Sequence, residues 1–386
     1  MQQSRAGGMV EIAFLMALCF FLPLYEAPKN IAWAGYALVW IWNRARARDF
    51  GGAWDAWDTL IAAWIVSPFL SAAFAGLHGG EWRGSLDVLR YGVVLWMLKR
   101  SRFTDGELQV LLGTLASSAL VGLGMAVWQV WSGSHERLEL NSVGHVNHTA
   151  IYLAIVLGLC ASWVFAGRQI LVAAVATAFI YAGLLGTASR GAVGAGVLAL
   201  CVLAAAWWRR SRWPALAVAA LMATTLLGAI FGSASVFEKQ KQLSGDVLNY
   251  RGHAWDIALS AWRAHPWFGV GVDNFSLLTR GEQEPYRTLF THAHSLYFNT
   301  LAERGLAGAV PLLVVLVAAL VALARRRPSS GDSAQDCLLW GAALSAWLVT
   351  VVAGGVNTTL HHEHGLLMAL LLGLWFGRRH GVGARL

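Results

Sequence analysis

Twelve stretches of the chain, at about residues 10–25, 30–43, 58–76, 86–98, 108–130, 149–166, 169–187, 192–208, 214–232, 296–323, 337–354 and 364–377, are apolar over lengths that cross or nearly cross a bilayer. No other feature constrains the fold as tightly. Backbone in hydrocarbon must satisfy its own hydrogen bonds, so such stretches predict helices. With 57% hydrophobic and 13% charged residues, 20 Trp among 386 and a mean hydropathy of +0.54, an ordinary soluble domain is excluded. The expected fold is an all-α polytopic membrane protein with about 12 transmembrane helices. The first stretch lacks a convincing small-residue cleavage site and reads as a span rather than a cleaved signal peptide.

Lysine and arginine are retained on the cytoplasmic side of membranes. Arg5, then Arg44, Arg46 and Arg48, then Lys99, Arg100 and Arg102, then Arg168, then Arg209, Arg210 and Arg212, then Arg325 to Arg327, then Arg378, Arg379 and Arg385 all alternate onto one side of the predicted spans. They are most of the 29 Lys and Arg, so both termini are expected in the cytoplasm. The net charge of +8 then has a topological origin and needs no nucleic-acid partner.

The opposite face carries loops at about 77–85, 132–148, 233–295 and 355–363. The organisation expected is helices 1–9 over residues 1–232, an ordered extracytoplasmic cap over 233–295, and helices 10–12 with a cytoplasmic tail over 296–386. Within the cap, which includes Pro266 and Pro285, Tyr250 to Trp262 has the pattern of a short amphipathic helix, and Trp255, Ile257, Leu259 and Trp262 read as its core side. Residues 325–336 read as a solvated linker. Cys19, Cys160, Cys201 and Cys337 lie in or at the ends of spans and indicate neither a disulfide framework nor a cysteine-ligated metal.

Ionisable residues on the cap side carry the chemistry, because such groups at membrane depth usually face a cavity. His294 closes a polar loop where an apolar helix begins, and an imidazole there suits a proton acceptor, although a helix anchor would look the same. Arg190, in Thr187-Ala-Ser-Arg-Gly191, runs against the charge bias of its side; it reads as a phosphate ligand or as a snorkelling or capping residue. Arg251, flanked on the cap by Tyr250 and Trp255, fits a phosphate and sugar environment or a plain surface position. Arg280 and Arg287 are further basic cap residues. Candidate secondary substrate contacts are Arg287, Tyr297, His361 and His362. Asp87 and Arg90 are spaced to pair on one helix face. Gly269-Val-Gly271 lacks the third glycine and the βαβ context of a nucleotide loop, and reads as a tight turn. The run His361-His362-Glu363-His364 lacks metalloprotease spacing, so no metal is expected, and it reads as a polar lining or a helix cap.

His294-Ser295, nine residues, Gly305, two residues and Gly308 resemble the H-[N/S/Q]-x9-G-x2-G pattern of the O-antigen ligase family. Ser189-Arg190-Gly191 is similar to that family's Ser-Arg-Gly junction, and Arg251-Gly-His-Ala-Trp-Asp-Ile-Ala-Leu259 with His265-Pro-Trp-Phe-Gly-Val-Gly271 to its cap sequence. The spans, with one large loop between the ninth and tenth, resemble its layout too. The resemblance implies a GT-C-like glycosyltransferase of the bacterial inner membrane. It would move O polysaccharide from undecaprenyl diphosphate to lipid A-core at the periplasmic face, without a cofactor.

The chemistry stands apart from the resemblance. A lipid diphosphate is a good leaving group, so what must be supplied is a base for the incoming hydroxyl and positive charge for the departing diphosphate. His294 suits the first need, Arg190 and Arg251 the second, and one in-line displacement inverts the anomeric centre. An O-antigen polymerase or a protein O-oligosaccharyltransferase differs only in acceptor. A lipid-linked glycan transporter would instead place its charges along a midplane pathway, often in broken helices. Peptidoglycan polymerases would rely on a loop aspartate, and Asp246, Asp256 and Asp273 have no matching context.

Overall fold

The computed structural model describes residues 5–208, 213, 216–218, 220–221, 247–282, 290–329 and 331–383. These contain α1 (Arg5–Phe21), α2 (Glu26–Ala47), α3 (Ala56–Ala73), α4 (Glu81–Lys99), α5 (Asp105–Trp131), α6 (Val146–Phe165), α7 (Ile170–Gly186) and α8 (Arg190–Trp207). There follow α9 (Val247–Ala264), α10 (Phe275–Leu278), α11 (Leu296–Arg325), α12 (Ala334–Ala353) and α13 (Glu363–Gly383), with no strand among the described residues. Every apolar stretch singled out in the sequence coincides with a helix except 214–232, which lies mostly outside the described residues. Six helices, α3, α5, α6, α8, α11 and α12, are long and apolar enough to cross a membrane; α1 contains, and α7 is, a shorter apolar helix. The chain is a multi-pass membrane protein. Helices α2 and α4 begin earlier than hydropathy predicted, because charged first turns extend them beyond their apolar stretches.

Short polar signals set the helix starts. Asp55 and Asp58 form a capping box on α3, Thr104 and Glu107 form one on α5, and the Ser333 hydroxyl accepts from Asp336 N–H on α12. The centre of the bundle is α6 against α12, the two most enclosed spans. Small residues permit that approach: a Cβ on Gly158 would collide with the Ser345 side chain, and one on Gly341 with Ser162 Oγ.

The bundle has two chemically different ends. At one, Asp58 accepts from Lys99 Nζ at 2.8 Å and from Arg100 Nε at 2.9 Å and Nη2 at 2.6 Å, while Arg378 reaches Asp336 at 2.8 Å and Asp105 at 2.7 Å. Buried charges are tolerated there because each is paired and hydrogen-bonded. The other end gathers the N-termini of α2, α4, α6, α8, α11 and α13 and carries the cap.

The cap is spliced into α11. That helix breaks at Gly305 (φ 56°, ψ −157°), which frees two amides. Leu306 N–H donates to Pro266 O and Ala307 N–H to Trp267 O, both at 2.9 Å, while Val270 and Gly271 donate back to Ala302 O and Glu303 O at 2.9 Å. Backbone groups in a membrane helix break must be satisfied by protein, and the cap does so here. Glycine is required on both sides: a Cβ on Gly305 would lie 2.5 Å from the Trp267 carbonyl carbon, and one on Gly269 would collide with the Glu303 backbone. Gly269 and Gly271 (φ 68° and 101°) thus make a turn, as their spacing predicted. Asn274 ties the cap to α4, donating to Val270 O and Leu77 O and accepting from Gly80 N–H at 3.0 Å.

The predicted amphipathic cap helix is α9, but its most buried side chains are Ala254, Ala258 and Ala261, packed with Val270, Phe275 and Ala302. Of the aromatic and aliphatic side chains expected inside, Ile257 packs against that cluster, while Trp255, Leu259 and Trp262 are half-buried. Trp255 stacks on Phe298 of α11, with ring centroids 5.1 Å apart.

Candidate active site

Strained backbone collects at the cap end. Ala188 (φ 52°), His294 (φ 49°) and Leu360 (φ 60°) adopt left-handed conformations just before α8, α11 and α13, and Asp273 (φ 64°) does so on the cap. Each costs on the order of 1–3 kcal/mol and persists only where its surroundings enforce it. For His294 the enforcement is visible on both sides. Ala293 N–H donates to Asn299 Oδ1 at 3.0 Å; Ser295 Oγ donates to Gly354 O at 3.3 Å, and Leu296 N–H donates to the same carbonyl at 2.8 Å. The half-exposed imidazole is therefore presented by two anchored neighbours, with the Phe290 ring 6.4 Å away.

Arg190 is the first residue of α8 and is exposed. Its position is fixed by its neighbour: Ser189 Oγ donates to Asn147 Oδ1 at 2.9 Å, joining the starts of α8 and α6. Gly191, one residue on, lies against Val356 and Asn357, the segment that also accepts from Leu296 N–H through Asn357 O. Arg190 and His294 thus border one loop, 354–357. Arg251 is half-buried on α9, one turn before Trp255; His253 beside it faces Phe290 at 6.0 Å, and Phe290 faces His294. Burial, and then the Arg190 charge, lower the Arg251 pKa. Neither guanidinium pairs with a carboxylate among the described residues. Two guanidiniums without carboxylate partners among the described residues, with the positive end of the α8 dipole, have the chemistry to attract an anion.

The remaining candidates divide. Tyr297 Oη donates to Val351 O at 2.9 Å, so its hydroxyl is engaged with α12. Arg287 lies outside the described residues. His361 and His362 precede α13, which starts at Glu363, so His361 and His364 do not share a turn of helix as they would had it begun earlier. Asp87 and Arg90 pair at 3.5 Å as expected, with both side chains more than a third exposed.

Two histidines that the sequence reading passed over complete a row of imidazoles. His292 lies 4.5 Å from His361, His361 4.4 Å from His362, His362 4.3 Å from His148, and His148 5.3 Å from His364, centroid to centroid. Burial, then the charges of His294 and His362, push His292 down to about 4; burial lowers His361 and His362 as well. Among the described residues no group of three or more His, Cys, Asp or Glu is arranged to hold a metal ion. The His292-Ala-His294 spacing was the one local signal; His148 could not be found, since the rings it meets in this row, His362 and His364, are more than 210 residues away.

No curated protein matches the chain. A family model described as O-antigen ligase matches residues 172–313, the region that contains Arg190, Arg251, His294 and Gly305.

Proposed function

We propose that the protein is an O-antigen ligase that transfers polysaccharide from undecaprenyl diphosphate to lipid A-core at the periplasmic face of the bacterial inner membrane, in lipopolysaccharide assembly. The observation that carries this reading is the pair Arg190 and Arg251, close enough to feel each other's charge and without carboxylate partners among the described residues, with Arg190 beside the loop that anchors His294. Enzymes of this family join or polymerise lipid-linked glycans; the donor, acceptor and sidedness are specific to the proposal.

In the mechanism, His294 accepts the proton of the acceptor sugar hydroxyl as its oxygen attacks the anomeric carbon of the donor. The bond from that carbon to the diphosphate oxygen breaks, and its electron pair leaves with the diphosphate. Arg190, Arg251 and the α8 N-terminus stabilise the charge that develops there. Attack opposite the leaving group inverts the anomeric centre, and the guanidiniums do the work for which a metal ion would otherwise serve. Both substrates carry lipid tails, which accounts for a site at the end of a helix bundle rather than in a soluble domain.

Purified protein given undecaprenyl diphosphate-linked glycan and either lipid A-core or a second donor molecule tests the reading. Glycan attached to lipid A-core is the expected product. Growth of the donor glycan instead would make the protein a polymerase, and no transfer to either acceptor would remove the proposed activity.

A further inference from the structure

A polar cavity of about 500 Å³ lies at the cap end of the bundle between the starts of α2, α4 and α13. That volume is in the range of small-molecule sites, about 300–1,000 Å³. It reaches Asp87 and Arg90, some two turns into α4, and ionisable groups at that depth are stable only beside water or a polar ligand. Its lining differs in charge from the pair Arg190 and Arg251. Carboxylates (Asp87, Asp273) alternate with guanidiniums (Arg83, Arg90), and the Trp33 indole flanks them with its N–H buried and without an acceptor among the described residues. Paired carboxylates accept from neighbouring hydroxyls, guanidiniums donate to ring oxygens or to a phosphate substituent, and an indole covers the C–H face of a sugar ring. A diphosphate needs uniform positive charge. A saccharide uses this mixture.

The cavity also points toward the base. A smaller void of about 30 Å³ shares Asp87, Asp273 and His361 with it and extends to Leu296, two residues after His294. Helix α2 leans on α1 and touches α4 only sparsely, and Leu86, 43% exposed, lines the cavity beside that gap in the helix packing.

Granting the glycosyl transfer proposed above, we infer that this cavity holds the saccharide headgroup of the acceptor glycolipid, which enters from the bilayer between α2 and α4. The acceptor hydroxyl then reaches His294 along the smaller void that runs from this cavity to Leu296. Its tail stays among the lipids.

Binding separates this site from the reaction. His294→Ala protein in lipid nanodiscs is titrated with lipid A-core and, separately, with undecaprenyl diphosphate, alone and with Trp33→Ala, Trp33→Phe or Arg83→Ala added. Trp33→Ala and Arg83→Ala, the latter at an exposed position with little bearing on folding, should each weaken lipid A-core binding about tenfold, with Trp33→Phe restoring most of it, while undecaprenyl diphosphate binds as before. Unchanged lipid A-core affinity in both variants, or a loss confined to undecaprenyl diphosphate, would overturn the acceptor site and leave the proposed reaction standing wherever wild-type protein still transfers glycan. Conversely, tenfold weakening of lipid A-core binding in a protein whose wild type transfers nothing would uphold a glycolipid site and sink the reaction.

Discussion

Ser189 donates its hydroxyl to Asn147 Oδ1 at 2.9 Å, and through that bond the residue before Arg190 is tied to the first turn of α6. The consequence is positional: Arg190 emerges from a fixed corner where two helices start, so its guanidinium is aimed by backbone rather than by side-chain packing. The same economy governs His294, whose left-handed backbone is held by bonds made by its neighbours on either side.

Replacing His294 by Ala should lower kcat by about 10²- to 10⁴-fold with little change in unfolding temperature, since the imidazole is half-exposed. Single-turnover transfer with purified protein measures it. Wild-type turnover in the variant would exclude His294 as the base.

Arg190→Ala and Arg251→Ala should each weaken undecaprenyl diphosphate binding and slow turnover, and Lys at either position should rescue only in part, because ammonium keeps the charge and loses the bidentate fork. Donor titrations of all four variants decide. Unaltered affinity and turnover in both Ala variants would leave the diphosphate without these ligands.

Gly305→Ala should destabilise the protein by at least about 2 kcal/mol, because it adds strain at φ 56° and a clash with the Trp267 carbonyl. Gly194→Ala, where a Cβ meets open space on α8, serves as the control and should be neutral or slightly stabilising. Thermal unfolding gives the comparison, and protease cleavage within 265–271 reports whether the cap has come loose. Equal stability of the two variants would mean that the splice contributes nothing.

The buried imidazoles make stability depend on pH. His292 is held near 4 against an ordinary value of 6.5, so as pH falls below 6.5 the unfolded chain takes its proton first. The stabilisation is complete above 6.5 and is lost toward 4, at about 1.4 kcal/mol per pH unit for each such ring. Burial shifts His361 and His362 the same way; at His362 Glu363 and Glu26 oppose the shift, and Lys29 and His145 reinforce it. Unfolding midpoints between pH 7 and 5 should fall, and His292→Gln should flatten the slope. Parallel curves would show that His292 carries none of the effect.

Transfer by purified protein on defined lipids should survive EDTA, since Arg190 and Arg251 supply the leaving-group charge. Loss of activity restored by one metal, with stoichiometric binding removed by His361→Ala or His364→Ala, would move the imidazole row into the catalytic centre.

The spans were legible because apolar length is a local property, and so was the His294 to Gly308 spacing. What made Gly305 necessary was not: the amides it frees are answered by Pro266 and Trp267, some 40 residues earlier. Hydropathy also hid the true start of α2, because Lys29 is a charge inside the helix, buried against Glu363 more than 330 residues away. The cavity beside it was invisible for the same reason, being formed by α2, α4 and α13, which no pattern along the chain connects. The alanine face of α9 is not marked by hydropathy, because close packing of the cap against Ala302 of α11 selects small side chains over large apolar ones.

Because cap carbonyls complete the hydrogen bonding of a broken helix, the 265–271 segment cannot lift away from α11 without stranding the amides of Leu306 and Ala307. If both reactants arrive and depart within the plane of the bilayer, turnover in cells will follow the surface densities of two lipids rather than any bulk concentration, and thinning out either one by spreading the protein into more membrane should slow the reaction even when the total amount of each substrate is unchanged.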